Sequence, residues 1–299
     1  MTRPDMRPMG MGEVLDRSFQ LLRRHLGTLF VTAVLGLAPL LVMYLSLGFP
    51  SGAAMSQDQV ASMGGLVIVL MLVSLVTMTV SWAALTRQLD HAASGGPVSL
   101  ADGLRYGGRA FFRVAGLGIL IYAVGAALLI PAGMVAALFG GGASVFLGEG
   151  VLGVGITIAA LVAAFAAAAL LWAPMAFISL PALVGEGRGP IGALRRAHGL
   201  GKGGRWRIVA TALLAWIVMM LPTVGIPFLF GFGMEMWTTG GVGTVTGTQL
   251  YLYQAVTFAV GGLTTPFMVA VMVLTYYDRR VRREGYDVEL ASEAIPQNA

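Results

Sequence analysis

A soluble domain of this length carries about 75 charged residues; this chain has 19 Lys and Arg and 14 Asp and Glu among 299 residues, and 57% of it is hydrophobic. Mean hydropathy is +0.81 and Cys is absent. Together these exclude an ordinary soluble domain, a disordered chain, a disulfide scaffold, Cys-ligated metal centres and thiol nucleophiles.

The charges leave six uncharged intervals, 26–57, 59–86, 114–148, 150–185, 208–234 and 236–277, covering 200 of the 299 residues. Each exceeds the roughly 20 residues that cross a bilayer as a helix. None shows the period-two alternation of a barrel strand, so backbone hydrogen bonding in hydrocarbon requires helices. Spans are expected at 26–47, 64–85, 114–139, 151–173, 208–230 and 250–277, the last kinked at Pro266. All 19 basic residues fall before span one, between spans two and three, between four and five, or after six. The opposite loops carry only Asp58, Glu149 and Glu235. By the preference of short Lys/Arg-rich loops for the cytoplasm, both termini are expected inside. The isoelectric point of 9.9 then reflects sidedness and attraction to anionic lipid, and nucleic acid is not an expected partner. The first apolar run is too long for the core of a signal peptide, although Ser51-Gly52-Ala53-Ala54 resembles a cleavage site.

Pro8, Pro97 and Pro190 each precede a charged amphipathic stretch that leads into an odd-numbered span, and Pro39, Pro131 and Pro222 recur within those spans. The fold expected is all-α: one domain over 1–290, built of three repeats of cytoplasmic interfacial helix plus transmembrane hairpin (8–90, 97–180, 190–283), and a disordered tail at 291–299. In the first amphipathic stretch Val14, Leu15, Phe19, Leu22 and Leu26 share one face. Glu13, Asp16, Arg17, Arg23 and Arg24 share the other, the pattern of a helix lying in the headgroup plane. The second opens on a capping box from Ser99 to Asp102. Arginines in these stretches can meet lipid phosphates, which makes Arg17, Arg23, Arg24, Arg105, Arg109, Arg113, Arg195, Arg196, Arg205 and Arg207 the candidate headgroup ligands. Arginines beside a span also serve simply as topology determinants.

Other chemistry is thinly represented. The six intervals hold no Asp, Glu, Lys, Arg or His, which disfavours proton relays and carboxylate ion sites at membrane depth. Hydroxyls at Ser74, Thr77, Thr79, Ser81, Thr211, Thr264 and Thr265 are available, and are expected to bond their own or neighbouring helices. His25, His91 and His198 sit at non-equivalent positions and form no H-E-x-x-H pair. Asp278, with Arg279, Arg280, Arg282 and Arg283, reads as a stop-transfer surface ion cluster, with a metal-assisted lipid-phosphate site as the sharper alternative. The run 199–204 satisfies G-x-G-x-x-G but has no strand before it, so a flexible linker is expected there. Gly and Ala at 153, 155, 159, 160, 163, 164 and 166–169, and Gly116, Gly118 and Gly125, make spans four and three slender, which places both at the bundle interior. No cofactor or metal is expected.

Three motifs, PMGMGEVLDRSF at 8–19, PALVGE at 181–186 with ALRRA at 193–197, and LTYYDRRVRREGYDVEL at 274–290, resemble the bacterial integral-membrane family related to the membrane domain of glycerophosphoryl diester phosphodiesterases. The resemblance runs from about residue 8 to 290. It implies a bacterial inner-membrane location and no catalytic residues, because the His-Arg-Gly opening of the phosphodiesterase barrel is absent. After the paired arginines the chain has Ala197-His198-Gly199-Leu200 where the family more usually has Ser-Trp-x-Leu. The expected role is non-enzymatic: a scaffold or lipid-interacting module whose partners are the bilayer, anionic phospholipid headgroups and a membrane protein. A small-molecule or lipid transporter is the alternative, and a membrane-embedded lipid-phosphate enzyme a more distant one.

Overall fold

A computed structural model describes residues 7–46, 57–147, 151–229 and 247–286, and every regular element among them is a helix. There are eight: α1 Met11–Arg24, α2 Leu26–Ser46, α3 Gln57–Ala93, α4 Leu100–Leu147, α5 Val151–Glu186, α6 Pro190–Gly201, α7 Arg205–Leu229 and α8 Gly247–Glu284. Six contain stretches long and apolar enough to cross a bilayer: Leu26–Leu45, Gly64–Ala93, Leu100–Val135, Val154–Glu186, Arg205–Ile226 and Tyr251–Glu284. The chain is thus an all-α, multi-pass membrane protein. The expected cleavage-like segment at 51–54, the acidic residues Glu149 and Glu235 and the tail at 291–299 lie outside the described residues.

Local sequence explains where the helices break. α1 starts after Gly10, whose backbone N–H donates to Glu13 Oε2 at 3.4 Å, the one half of a capping box that a glycine N-cap can form. It ends at His25, one residue before α2 begins. α3 ends in a Schellman motif: Gly95 adopts φ +78°, its N–H donates to Ala92 O at 3.2 Å, and Gly96 N–H donates to His91 O at 2.7 Å. Pro97 follows, and Ser99 Oγ then accepts from Asp102 N–H at 3.3 Å, which is the predicted cap. The second amphipathic stretch differs from expectation, since it forms the first turns of the unbroken helix α4. Nothing between Ser99 and Val114 breaks a helix as His25 does in α1 or as the Gly203-Gly204 turn does before α7. Helix α8 contains Pro266 within its length.

The described helices extend beyond the expected spans at their basic ends. α3 continues from 85 to Ala93, and α5 from 173 through Pro174 and Pro181 to Glu186. Burial concentrates there. Ala83, Leu85 and Leu89 in α3, Ile178 and Leu183 in α5, and Val269, Val271 and Tyr276 in α8 are nearly inaccessible.

Span four departs from its expected interior position. Along α5, Val162 is 63% exposed and Ile158 is 55%, and the small residues Gly155, Ala159, Ala163 and Ala166 are exposed with them. Small side chains permit close approach but bring few dispersion contacts of their own. The bulkier run from Phe177 to Val184 supplies the packing of this helix. Span three is mixed. Gly118 faces open space, whereas Gly125 lies under Trp172, whose indole N–H donates to Ile121 O at 3.0 Å. A Cβ at 125 meets Nε1 of that ring at 2.8 Å, so glycine is required for this contact.

The chain divides into two compact units. Unit 1 gathers Met9–Phe112 and Leu213–Leu274; unit 2 gathers Arg113–Ala212 and, among the described residues after it, 275–286. Helices α4, α7 and α8 contribute residues to both.

Candidate functional site at the basic helix ends

Within unit 2, the end of α5, helix α6 and the end of α8 bring together the densest set of charged groups. Residues Tyr276, Arg280 and Glu284 are spaced i, i+4, i+8 and share one face of α8. Glu186, the last residue of α5, accepts from the Tyr276 hydroxyl at 2.7 Å, from Arg196 Nε at 2.8 Å and from Arg188 Nε. The other two nitrogens of Arg196 bind the Glu284 carboxylate, Nη2 at 2.8 Å and Nη1 in a shorter contact. One planar guanidinium therefore bridges two carboxylates from two helices, the geometry for which arginine rather than lysine is suited. Burial works against the charge on Arg196, but hydrogen bonds to Glu284 and Glu186 raise its pKa above the ordinary arginine value. Arg280 reaches Glu284 at 3.4 Å and places its guanidinium 3.7 Å from the centre of the Tyr286 ring.

A second set lies beside it on α8. Asp278 accepts from Arg282 Nε at 2.9 and 3.1 Å and pairs with Arg207 at 3.5 Å. Arg279 donates to Leu200 O at 3.1 Å and to Lys202 O at 3.2 Å, and Arg283 donates to Lys202 O at 2.9 Å. These carbonyls end α6, where a helix leaves acceptors unfilled and its dipole favours cations. Asp278 and Arg279 are 2% and 4% exposed, whereas Arg280 is half-buried and Arg282 and Arg283 are exposed, so the expected surface cluster has a buried side that packs against the end of α6. The same contacts revise the glycine run at 199–204. It is the last turn of α6 followed by a tight turn with Gly203 at φ +73°, docked under arginine, and not a flexible linker. Any side chain at Gly204 would place Cβ 2.6 Å from Arg279 Nη2.

Unit 1 uses neutral groups instead. Ser81 Oγ donates to Thr32 O at 2.7 Å, and Thr77 Oγ1 donates to Gly36 O at 3.0 Å, which joins α3 to α2. Buried Gln88 donates through Nε2 to Thr32 Oγ1 at 3.0 Å and to Ser99 O at 3.2 Å, adding the start of α4. The remaining candidate hydroxyls mostly bond within their own helices: Ser74 to Leu70 O, Thr79 to Leu75 O, Thr211 to Arg207 O and Thr264 to Val260 O. Ser179, Thr257 and Thr275 are buried hydroxyls without such a partner.

The ten candidate arginines separate into two groups. Arg196 and Arg207 are engaged with carboxylates, Arg17 donates to Met9 Sδ at 3.6 Å, and Arg205 is half-buried at the start of α7. Arg23, Arg24, Arg105, Arg109, Arg113 and Arg195 are exposed. Phe19, on the apolar face predicted for α1, packs against Phe267 with the ring centres 4.4 Å apart and the planes tilted by 33°. His25 caps α1, His91 lies near the end of α3 and His198 lies in α6. Among the described residues no group of three or more His, Asp and Glu side chains is placed to hold a metal ion.

Sequence reasoning missed Gln88, Tyr276, Glu186 and Glu284 as structural ligands. The i, i+4, i+8 spacing of Tyr276, Arg280 and Glu284 was a usable signal, whereas Gln88 offered none. The protein these observations define is a multi-pass helical membrane protein in which, among the described residues, the charged side-chain contacts lie near helix ends. Comparison of the chain with family models, curated proteins and solved structures finds no match.

Proposed function

We propose that the chain is a non-enzymatic integral membrane protein of the bacterial inner membrane, serving as a scaffold or lipid-interacting module with both termini in the cytoplasm. One observation carries this reading: the buried charged groups are spent on joining helix ends, while six arginines remain exposed beside the spans. A carboxylate held by two or three arginine or tyrosine donors, as Glu186 is, is an anchor and a poor general base, because its acceptor sites are already occupied. Exposed arginines at the ends of apolar helices lie where lipid phosphates do. The resemblance of the opening, middle and closing motifs to the phosphodiesterase membrane-domain family supports the same location, as does the recurrence of proline and amphipathic segments in three parts of the chain.

Recovery of the full chain in mild detergent tests the role. A stoichiometric membrane-protein partner or retained anionic lipid is expected, and recovery of neither overturns it. Topology is tested separately: in whole cells Ser51→Cys should react with a membrane-impermeant thiol reagent and Ser292→Cys should not. The reverse pattern would place the basic ends outside.

A further inference from the structure

Unit 1 contains a cavity of about 330 Å³ at the junction of α3 and α4. Its walls come from two helix faces. Arg87 and His91 are spaced i, i+4 near the end of α3, and Arg105 and Arg109 have the same spacing on α4, where Asp102 and Tyr106 line the cavity with them. The floor is the Pro97 to Ser99 segment, held by the Schellman motif before it and the Ser99 cap after it. The cavity therefore has a fixed backbone and a wall rich in cations.

The charge balance is unusual. Arg87 is 3.6 Å from Asp90 and 5.3 Å from the centre of the Tyr106 ring. Arg105 and Arg109 have no carboxylate at ion-pair distance among the described residues, and Asp102 is the only acidic side chain lining the cavity. Arg87 thus has Asp90 as a partner, whereas Arg105 and Arg109 line the same space without one among the described residues. Like charges gathered this way repel unless an anion joins them. The guanidinium fork matches the oxygens of a phosphoryl group, and Gln88 and Tyr106 add polar and aromatic surface at the wall. The volume lies at the small end of ligand pockets and exceeds what a bare phosphate fills, leaving room for a small substituent.

We propose that this cavity binds a phosphoryl anion through Arg87, Arg105 and Arg109, either on a lipid headgroup or on a free phosphate ester. The proposal deepens the lipid-interacting reading above, and it gives Arg105 and Arg109 a role distinct from the remaining exposed arginines.

The full chain is purified in neutral detergent. Binding of inorganic phosphate is measured by thermal shift against chloride at equal ionic strength. Retention of phosphatidic acid against phosphatidylcholine is measured by native mass spectrometry. Wild type should bind at least one of the two phosphate probes, and the Arg105→Gln, Arg109→Gln double variant should bind that probe at least about tenfold more weakly, since each charge-assisted hydrogen bond lost is large on this scale. Lys202→Gln, which removes a charge that does not line the cavity, should bind within about twofold of wild type. The unliganded melting temperature of the double variant reports its folding, and Arg87→Gln supplies a second loss if the double variant is unstable. Phosphate binding without lipid retention assigns the cavity to a free phosphoryl anion and keeps the cavity proposal while removing its lipid-headgroup form. Phosphatidic acid retained by wild type and lost by the variant identifies a headgroup. Lipid retained equally by wild type and the double variant keeps the lipid reading and overturns the cavity, as does equal loss in Lys202→Gln or binding of neither probe.

Discussion

Both units tie their helices together through side chains, but they do so with different chemistry. Unit 1 joins α2, α3 and α4 through neutral groups, with Ser81, Thr77, Thr32 and Gln88 exchanging hydrogen bonds with backbone and with one another. Unit 2 joins α5, α6 and α8 through Glu186, Arg196, Tyr276 and Glu284, where each carboxylate meets at least two donors. A neutral hydrogen bond at a helix interface is cheap to bury and modest in net strength, so it tolerates close backbone approach. A charged cluster is stronger but fragile, because deletion of one member leaves another desolvated and unpaired. The comparison teaches that the same protein uses glycine and hydroxyls where helices must lie close, and ionic bridges where they end near water.

The comparison breaks first at Glu186. Glu186→Ala leaves Arg196 half-buried with one carboxylate and strips the Tyr276 hydroxyl of its acceptor, and we expect a loss of about 3 kcal/mol in unfolding free energy by SDS titration. A loss under about 1 kcal/mol would mean that the cluster behaves as an ordinary surface salt bridge. Gly36→Ala probes the other side. Its Cβ falls 2.7 Å from Ser81 Oγ, so α2 and α3 must separate or Ser81 must give up its bond to Thr32 O. We expect about 2 kcal/mol by the same titration, the range of overpacking. Ser81→Gly should restore most of it if the clash is the cause.

How much of this was legible in the sequence follows from the same contrast. The six spans were readable because a bilayer imposes a length on apolar runs, and the junctions at Gly95-Gly96-Pro97 and Gly189-Pro190 because these residues punctuate helices for backbone reasons. What a helix face touches was not readable. Ala159 and Ala163 looked like packing positions yet are exposed, since a small side chain permits contact without requiring it. Asp278 and Arg279 looked like surface charges yet are buried, because their partners at Arg207, Leu200 and Lys202 lie more than 70 positions earlier in the chain. Of the candidate arginines, the ten could be named from their place beside spans, but only the structure separates Arg196 and Arg207, held by carboxylates, from Arg105 and Arg109, which line a cavity.

Gln88→Leu sharpens the neutral side. Leucine fills a similar volume but removes the two donations that connect α3 to Thr32 and Ser99, so Ser99 O keeps only its bond from Gly103 N–H. The expected loss is about 1.5 kcal/mol, insensitive to added salt because no ion pair is involved. A strongly salt-dependent loss would show that the charged residues beside Gln88 at Arg87 and Asp90 had rearranged.

The smallest expected effect isolates the mixed bond, a neutral donor on a charged acceptor. Tyr276→Phe removes only the hydroxyl that donates to Glu186 at 2.7 Å, keeping the ring against Tyr277 at 5.4 Å between centres. Glu186 retains Arg196 and Arg188, so no charge is left unpaired and the loss should be about 1 kcal/mol. A double-mutant cycle with Arg196→Gln then distinguishes two accounts of the cluster. If the donors act on Glu186 independently, the two losses add. If Tyr276 and Arg196 jointly hold one carboxylate orientation, the second substitution costs less than the first predicts, and the cycle gives a coupling of about 0.5 kcal/mol or more. The geometry favours coupling, because Tyr276 and Arg196 both contact the same oxygen, Glu186 Oε1. Loss of either donor frees that oxygen to turn away from the other.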